Sequence, residues 1–358
     1  MMGNSVLKRR RGVSTLLGIL LTLIFLGLAL YNIDPRKVGA ALVRTDYRYV
    51  GLGLLCTFSG YLLRTVRWQV ILAPTKEISL RRLYPVLMVG FMANNLLPLR
   101  IGELLRAYLL GHKEAIAKSL ALATIVVERV FDGLTLIFFL IIVSLAFPLP
   151  AWGQQMEYLS LLIFGIALLV LVLLIYREDW ASGVVSFLAR PLPSALASRL
   201  QGMSTSFVSG ITALRDRQDI AALVLSSLLV WIVELSSYYL LTWASPLPLP
   251  PERRIGAAAL VMVATNIGSL IPSSPGYVGP FEYFGILALG AFGVEKELAL
   301  SYTIVSHAMQ YIMVTGIGLL SLWSEGLTLT SIGEKAVGTQ GEASEGAPSA
   351  SPSSANSE

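Results

Sequence analysis

The chain has 358 residues, 55% hydrophobic and only 14% charged, with a mean hydropathy of +0.70 and a formal net charge of +5. A soluble domain carries about a quarter charged residues, so this composition excludes an ordinary soluble domain and implies an integral membrane protein. The single Cys56 excludes an internal disulfide and a cysteine-based metal site, and His112 and His307 lie too far apart in sequence to suggest a metal centre. No cofactor is expected. The positive balance reads as the cytoplasmic excess of Lys and Arg typical of membrane proteins; no aromatic-basic motif points to nucleic acid.

Lys8-Arg9-Arg10-Arg11 precedes an uncharged run from Gly12 to Tyr31. At about 20 residues the run is long for a signal-peptide core, so it is expected to be an uncleaved first helix with a cytoplasmic N-terminus. Residues 32–48 carry a weak helical pattern (Val38, Ala41, Leu42) that suits a short interfacial helix. A span over about 49–72 is apolar until Arg64 and Arg67, one turn apart on a shared face, with Trp68 beside them. Residues 84–99 are too few to cross a bilayer comfortably. They end in Asn94-Asn95-Leu96-Leu97-Pro98-Leu99-Arg100-Ile101-Gly102-Glu103, and an apolar stretch with Arg106 follows, as in a re-entrant hairpin with a broken polar tip.

The run 119–147 is long enough to span but contains Glu128, Arg129 and Asp132. Glu128 and Asp132 share a face, with Arg129 rotated by about 100°. Residues 148–157 are read as a loop and 158–176 as an uncharged span. The basic segment 177–219 carries a stripe (Leu200, Met203, Phe207, Ile211, Leu214) suited to a helix lying on the membrane surface. A span over about 220–244 holds Glu234. Two short apolar arms, 256–271 and 283–293, flank a stretch over 264–282 that contains Asn266, Pro272, Ser273, Ser274, Pro275, Gly276, Gly279, Pro280 and Glu282. Neither a spanning helix nor a lipid-facing loop tolerates that composition, because irregular backbone at membrane depth must be buried in protein or line a wet cavity. A last span over about 299–323 holds His307. Residues 1–330 are read as one transmembrane domain and 331–358, rich in Ser, Ala, Gly, Glu and Pro, as a disordered tail.

The expected fold is therefore all-α and polytopic, with six spanning helices plus two re-entrant or broken hairpins, equivalent to eight helices. Most of the 27 Lys and Arg residues then fall on the cytoplasmic side, although 32–48 is an exception. The N-terminus and tail are cytoplasmic and the protein sits in the cell membrane. In this topology the hairpins enter from opposite faces. Their tips share a pattern, Asn94/Asn95, Pro98, Gly102 and Glu103 against Asn266, Pro272, Gly279 and Glu282. Paired broken segments of this kind point to an inverted repeat and its binding site.

A charge at the centre of a span costs about 2.5–3.5 kcal/mol, so Glu128, Arg129, Asp132 and Glu234 unpaired would cost on the order of 12 kcal/mol, comparable with a domain's stability. They must pair, face the bundle interior or touch water. Either they form a fold-fixing ion network, or they line a polar path in which Arg129, with Arg64 and Arg67, attracts a headgroup phosphate through its planar fork. His307 reads as a buried histidine satisfied by a neighbour rather than as part of a proton relay.

Arg64-x-x-Arg67-Trp68, Asn94-Asn95-x-x-Pro98-x-x-x-Gly102-Glu103-x-x-Arg106-Ala107, Glu128-Arg129-x-x-Asp132 and Pro272-x-x-Pro275-Gly276-x-x-Gly279-x-x-Glu282 occur in this order over nearly all of 12–325. Together they resemble the lysylphosphatidylglycerol synthase transmembrane-region family of flippase-like membrane proteins. The resemblance implies movement of a polar lipid between leaflets. Relatives that make and flip lysyl-lipids carry a soluble synthase domain with no counterpart in this tail, so a glycolipid or polyprenyl-linked lipid is as plausible a substrate as an aminoacyl-phospholipid.

The expected function is lipid translocation without enzymatic activity. The substrate pathway is expected to comprise Arg64, Arg67, Asn94, Asn95, Glu103, Arg106, Glu128, Arg129, Asp132, Asn266, Ser273, Ser274, Gly276, Gly279 and Glu282. With no P-loop motif, the energy source would be a gradient or mass action. The expected partners are a membrane lipid and a separate lipid synthase or glycosyltransferase, and a homo-oligomer is compatible with the chain. Two alternatives stand beside this reading: a membrane-embedded transferase using Glu103 or Glu282 as general base, and a non-transporting scaffold for a synthase.

Overall fold

A computed structural model describes residues 18–97, 101–176, 194–212, 217–271 and 275–324. Among the described residues every regular element is a helix. The expected tail, Lys8–Arg11, Pro272, Ser273 and Ser274 lie outside them.

Helix α1 (Gly18–Leu30) turns by 81° into α2 (Pro35–Val43). Pro35 occupies the first turn of α2, where no amide donor is needed, and Asp34 caps it by accepting from the Arg36 N–H at 2.9 Å. Helix α3 (Tyr47–Leu72) is capped in the same way by Asp46 and runs alongside α9 (Arg217–Ala244) as its principal partner. The two are joined deep in the bundle by Thr57 and Ser237, whose hydroxyls lie 2.9 Å apart.

The first hairpin is α4 (Leu80–Leu96) and α5 (Gly102–Glu114), and the second is α10 (Pro251–Gly268) and α11 (Pro280–Gly290). At 1.5 Å per residue the longest of these arms reaches only about 27 Å, below the roughly 30 Å hydrocarbon core. Helices α6 (Lys118–Ala146) and α12 (Lys296–Ser324) each have 29 residues. Helix α12 packs against α4, α11, α2 and α3, so both hairpins share it as a wall.

Among the described residues four helices are long and apolar enough to cross a membrane, or up to five if the bent α1–α2 pair is one span. This set is smaller than the six expected spans. Helix α6 is as long as α12, but its apolar run is interrupted by Glu128, Arg129 and Asp132.

Several elements are placed differently from the sequence reading. Helix α7 (Ala151–Tyr176) starts seven residues before the expected 158, because Pro150 initiates the helix, its carbonyl accepting from the Gly153 N–H at 2.8 Å. Helix α10 begins at Pro251, five residues before the expected arm at 256, again with proline in the first turn. Within the expected surface segment, α8 (Ser194–Thr212) packs on α6 and α7. Of its stripe Ile211 is fully buried, Phe207 half-buried and Met203 exposed, so the helix belongs to the bundle rather than lying wholly on its surface. Leu200 and Leu214 fall outside the described side chains.

Candidate functional site

The site is built on charges that the apolar helices cannot leave unpaired. Glu128 of α6 is completely buried and takes both terminal nitrogens of Arg106, at 3.1 and 2.7 Å, in a two-pronged pair. Arg129 donates to it at 2.6 Å, and Arg67 lies 3.4 Å away. One turn along, Asp132 accepts from Arg67 at 2.7 Å and from the Trp231 indole at 2.9 Å, with Arg64 at 3.7 Å. Arg64 also reaches Glu234 at 3.6 Å. Four arginines from three helices thus meet three carboxylates from two. The Arg106 guanidinium further stacks 3.6 Å from the Trp68 ring centroid, and Trp68 donates to Thr124. Such a desolvated cation–π contact contributes about 2 kcal/mol.

Beside this network lies a cavity of about 440 Å³. Its charged lining comes from Arg64, Glu103, Arg129, Asp132 and Glu234, its amides from Asn94, Asn95, Asn266 and Gln310, and its aromatic faces from Tyr61, Phe91, Trp231, Tyr277 and Tyr311 among others. The tips of both hairpins contribute. A short 3₁₀ turn, Pro275–Tyr277, between the arms of the second hairpin packs against α4 of the first.

The first tip is tied by the Asn94 side-chain oxygen Oδ1, which accepts from the Gly102 N–H at 2.8 Å. Gly102 is also where the arms nearly touch, since a Cβ there would stand 2.0 Å from the Gly90 carbonyl oxygen. Asn95 donates to Thr315 at 3.2 Å, joining that tip to α12. In the second tip Gly276 takes the left-handed φ of +75° that favours glycine. Glu282, in the first turn of α11, accepts from the Gly279 N–H at 2.7 Å, and its other oxygen lies 2.5 Å from His307 Nδ1.

Of the residues expected on the pathway, Arg64, Asn94, Asn95, Glu103, Arg129, Asp132 and Asn266 line the cavity. Arg67, Arg106 and Glu128 sit behind it in the ion network. Glu282 is engaged by His307, Gly276 is bonded to His307 through its carbonyl, and Gly279 lies against the α1 backbone at Thr22. Ser273 and Ser274 lie outside the described residues. The cavity also gathers residues that sequence reasoning did not place on the pathway: Tyr61, Trp231, Glu234, His307 and Gln310, together with Phe164 of α7, whose ring fills the gap left by Gly133. Glu234 and His307 had a legible signal, each as an ionisable group inside an expected span. Aromatic side chains in apolar helices look like core.

The family model described as Lysylphosphatidylglycerol synthase TM region matches residues 15–318, and the chain belongs to that family. A UPF0104 membrane protein of Methanothermobacter thermautotrophicus is 26% identical over 85% of this chain and 93% of the relative. UPF0104 membrane protein MJ1595 of Methanocaldococcus jannaschii is 23% identical over 86% of this chain and 94% of the relative. A protein named Glycosyltransferase AglD, of Haloferax volcanii, is 24% identical over 91% of this chain but only 56% of its own length. That name overturns the expectation of no enzymatic activity: sequences of this kind occur within a protein named for group transfer, so the absence of a recognisable catalytic motif does not exclude one. No solved structure matches the chain.

Proposed function

We propose that the protein binds the polar headgroup of a membrane lipid in the cavity between the two hairpins and carries it between leaflets while the acyl chains remain in the bilayer. The observation that carries this reading is a cavity at the meeting point of two helix breaks into which Arg64, Glu103, Arg129, Asp132 and Glu234 bring charge. Solvent-compatible space at such breaks is where membrane transporters place substrates. In this reading α6 also crosses the membrane, the two hairpins are re-entrant halves of an inverted repeat, and the protein resides in the cell membrane with a cytoplasmic N-terminus. The headgroup class is a glycolipid or polyprenyl-linked lipid, or an aminoacyl-phospholipid. Arg129 is the network arginine with the most exposed side chain, 32% accessible, and it would meet the headgroup phosphate through its planar fork. Asn94, Asn95, Asn266 and Glu103 would bond its polar groups.

A second reading is favoured by the relative named as a glycosyltransferase. Here the same cavity supports transfer of a group onto or from a lipid-linked acceptor, with Glu103 as the carboxylate facing the space.

The test is reconstitution of purified protein in liposomes with labelled lipids of each class. Leaflet redistribution of one headgroup class above protein-free vesicles is the expected result. A covalently altered lipid would select the transfer reading, and an unchanged leaflet distribution for every class would overturn translocation.

A further inference from the structure

The second hairpin is tied to α12 by a hydrogen-bond pattern with a fixed proton count. His307 Nε2 lies 2.7 Å from the Gly276 carbonyl oxygen. A carbonyl can only accept, so Nε2 must carry hydrogen. The other ring nitrogen, Nδ1, lies 2.5 Å from a Glu282 oxygen, and the second Glu282 oxygen already accepts from the Gly279 N–H at 2.7 Å. A neutral imidazole with hydrogen on Nε2 presents a bare lone pair at Nδ1, and an ionised carboxylate is also a pure acceptor. The contact therefore needs one proton more than a neutral histidine and a carboxylate supply, held either on the ring or on the acid. Its short distance fits a charge-assisted bond.

The surroundings isolate this pair. Phe281 stacks on the ring with centroids 4.3 Å apart, and Tyr311 meets it edge-on at 6.3 Å. Facing the same space, α3 presents Tyr61 and Arg64, α5 Glu103, α6 Arg129 and Asp132, α9 Glu234 and the 3₁₀ turn Tyr277, while α4 brings neutral amides. Glu234 is paired with Arg64, so among the described residues Glu282 is the acid bonded to the ring. Both partners are nearly enclosed, with side chains 12% and 10% accessible, yet His307 lines the cavity and can exchange a proton with it.

We propose that Glu282 and His307 form a proton-carrying latch on the second hairpin. With the proton aboard, the ring holds the Gly276 carbonyl and Glu282 together and the tip is closed beside the cavity. When the proton leaves to the cavity, acceptor faces acceptor across the Nδ1 contact, one of the two ring bonds must break, and the tip is released. Such a latch would couple lipid movement to a proton gradient. That consequence rests on the translocation reading, whereas the latch itself does not.

The experiment is hydrogen–deuterium exchange on the full chain in lipid nanodiscs, read as protection factors, which divide out the intrinsic pH dependence of exchange. Protection of the amides in 275–283 is expected to fall about tenfold or more between about pH 5 and pH 9, while α3 and α9 stay protected. Glu282→Gln is the decisive variant. Its amide can donate to a neutral Nδ1 while its oxygen still accepts from Gly279, completing the pattern without the extra proton. This tip is expected to stay protected across the whole range. His307→Phe should leave the tip unprotected at every pH. A wild-type tip whose protection does not change with pH, or a Glu282→Gln tip that titrates like wild type, would overturn the latch. The same samples in liposomes separate the two ideas, because a tip that titrates in a protein that moves no lipid keeps the latch and removes translocation.

Discussion

The two hairpins close their tips with different chemistry. The first is tied by a neutral amide, Asn94 to the Gly102 N–H, at a point where Gly90 and Gly102 bring the arms into contact. Its second arm is then anchored to α6 through the buried Arg106–Glu128 pair. Nothing in that tie depends on a proton. The second tip is held by Glu282 and His307, two ionisable groups whose bonding pattern requires one shared proton. One hairpin is built as a fixed wall of the cavity and the other as a wall that can be released.

The largest effect should come from breaking the anchor of the fixed hairpin. Glu128→Ala strands Arg106 in a dry interior and leaves Arg67 with Asp132 alone, and removing one partner of a buried pair costs about 3–5 kcal/mol. Loss of the folded monodisperse protein in thermal unfolding of detergent-solubilised material would show it. A normal melting temperature would mean that the network is dispensable for folding. Gly102→Ala comes next, since its Cβ would overlap the Gly90 carbonyl oxygen and the Asn94 side chain, an overpacking worth about 1–3 kcal/mol. Asn94→Ala leaves the Gly102 N–H without its acceptor at about 1–3 kcal/mol. Its destabilisation should be the same at acid and alkaline pH, which contrasts it with Glu282 and His307. A pH-dependent loss at Asn94 would erase the distinction between the tips. Arg129→Gln should cost least in stability, because Glu128 keeps Arg106 and Arg67 and Asp132 keeps Arg67, while reducing transport. Misfolding of this variant would make Arg129 structural.

The residues that matter were largely visible as anomalies in the sequence, but their partners were not. Arg64, Arg67, Glu128, Arg129 and Asp132 stand out because charge inside an apolar run is costly. That Arg67 bonds Asp132, 65 residues away, and that Arg64 takes Glu234 depends on how three helices cross. His307 was read as a buried histidine with a satisfied ring, which matches its two contacts, but the identity of its acid on another helix carries no local signal. Glu282 shows the same limit. Its position in a broken stretch suggested a headgroup ligand, whereas its side chain is occupied by Gly279 and His307. The early start of α7 escaped notice because Pro148 and Pro150 signal a loop as readily as they signal a first turn. Phe164 in the gap at Gly133 looks like ordinary lipid-facing sequence until the helices are packed.

The central claim is that the cavity between the two tips carries a lipid headgroup. Its most direct measurement is the initial rate of leaflet exchange for a labelled sugar-linked lipid, an aminoacyl-lipid and a plain phospholipid in proteoliposomes, comparing wild type with Arg129→Gln. The account predicts exchange of one headgroup class well above protein-free vesicles, reduced about tenfold or more in the folded variant. Rates equal to protein-free vesicles for every lipid, or an unchanged rate in the variant, would contradict it.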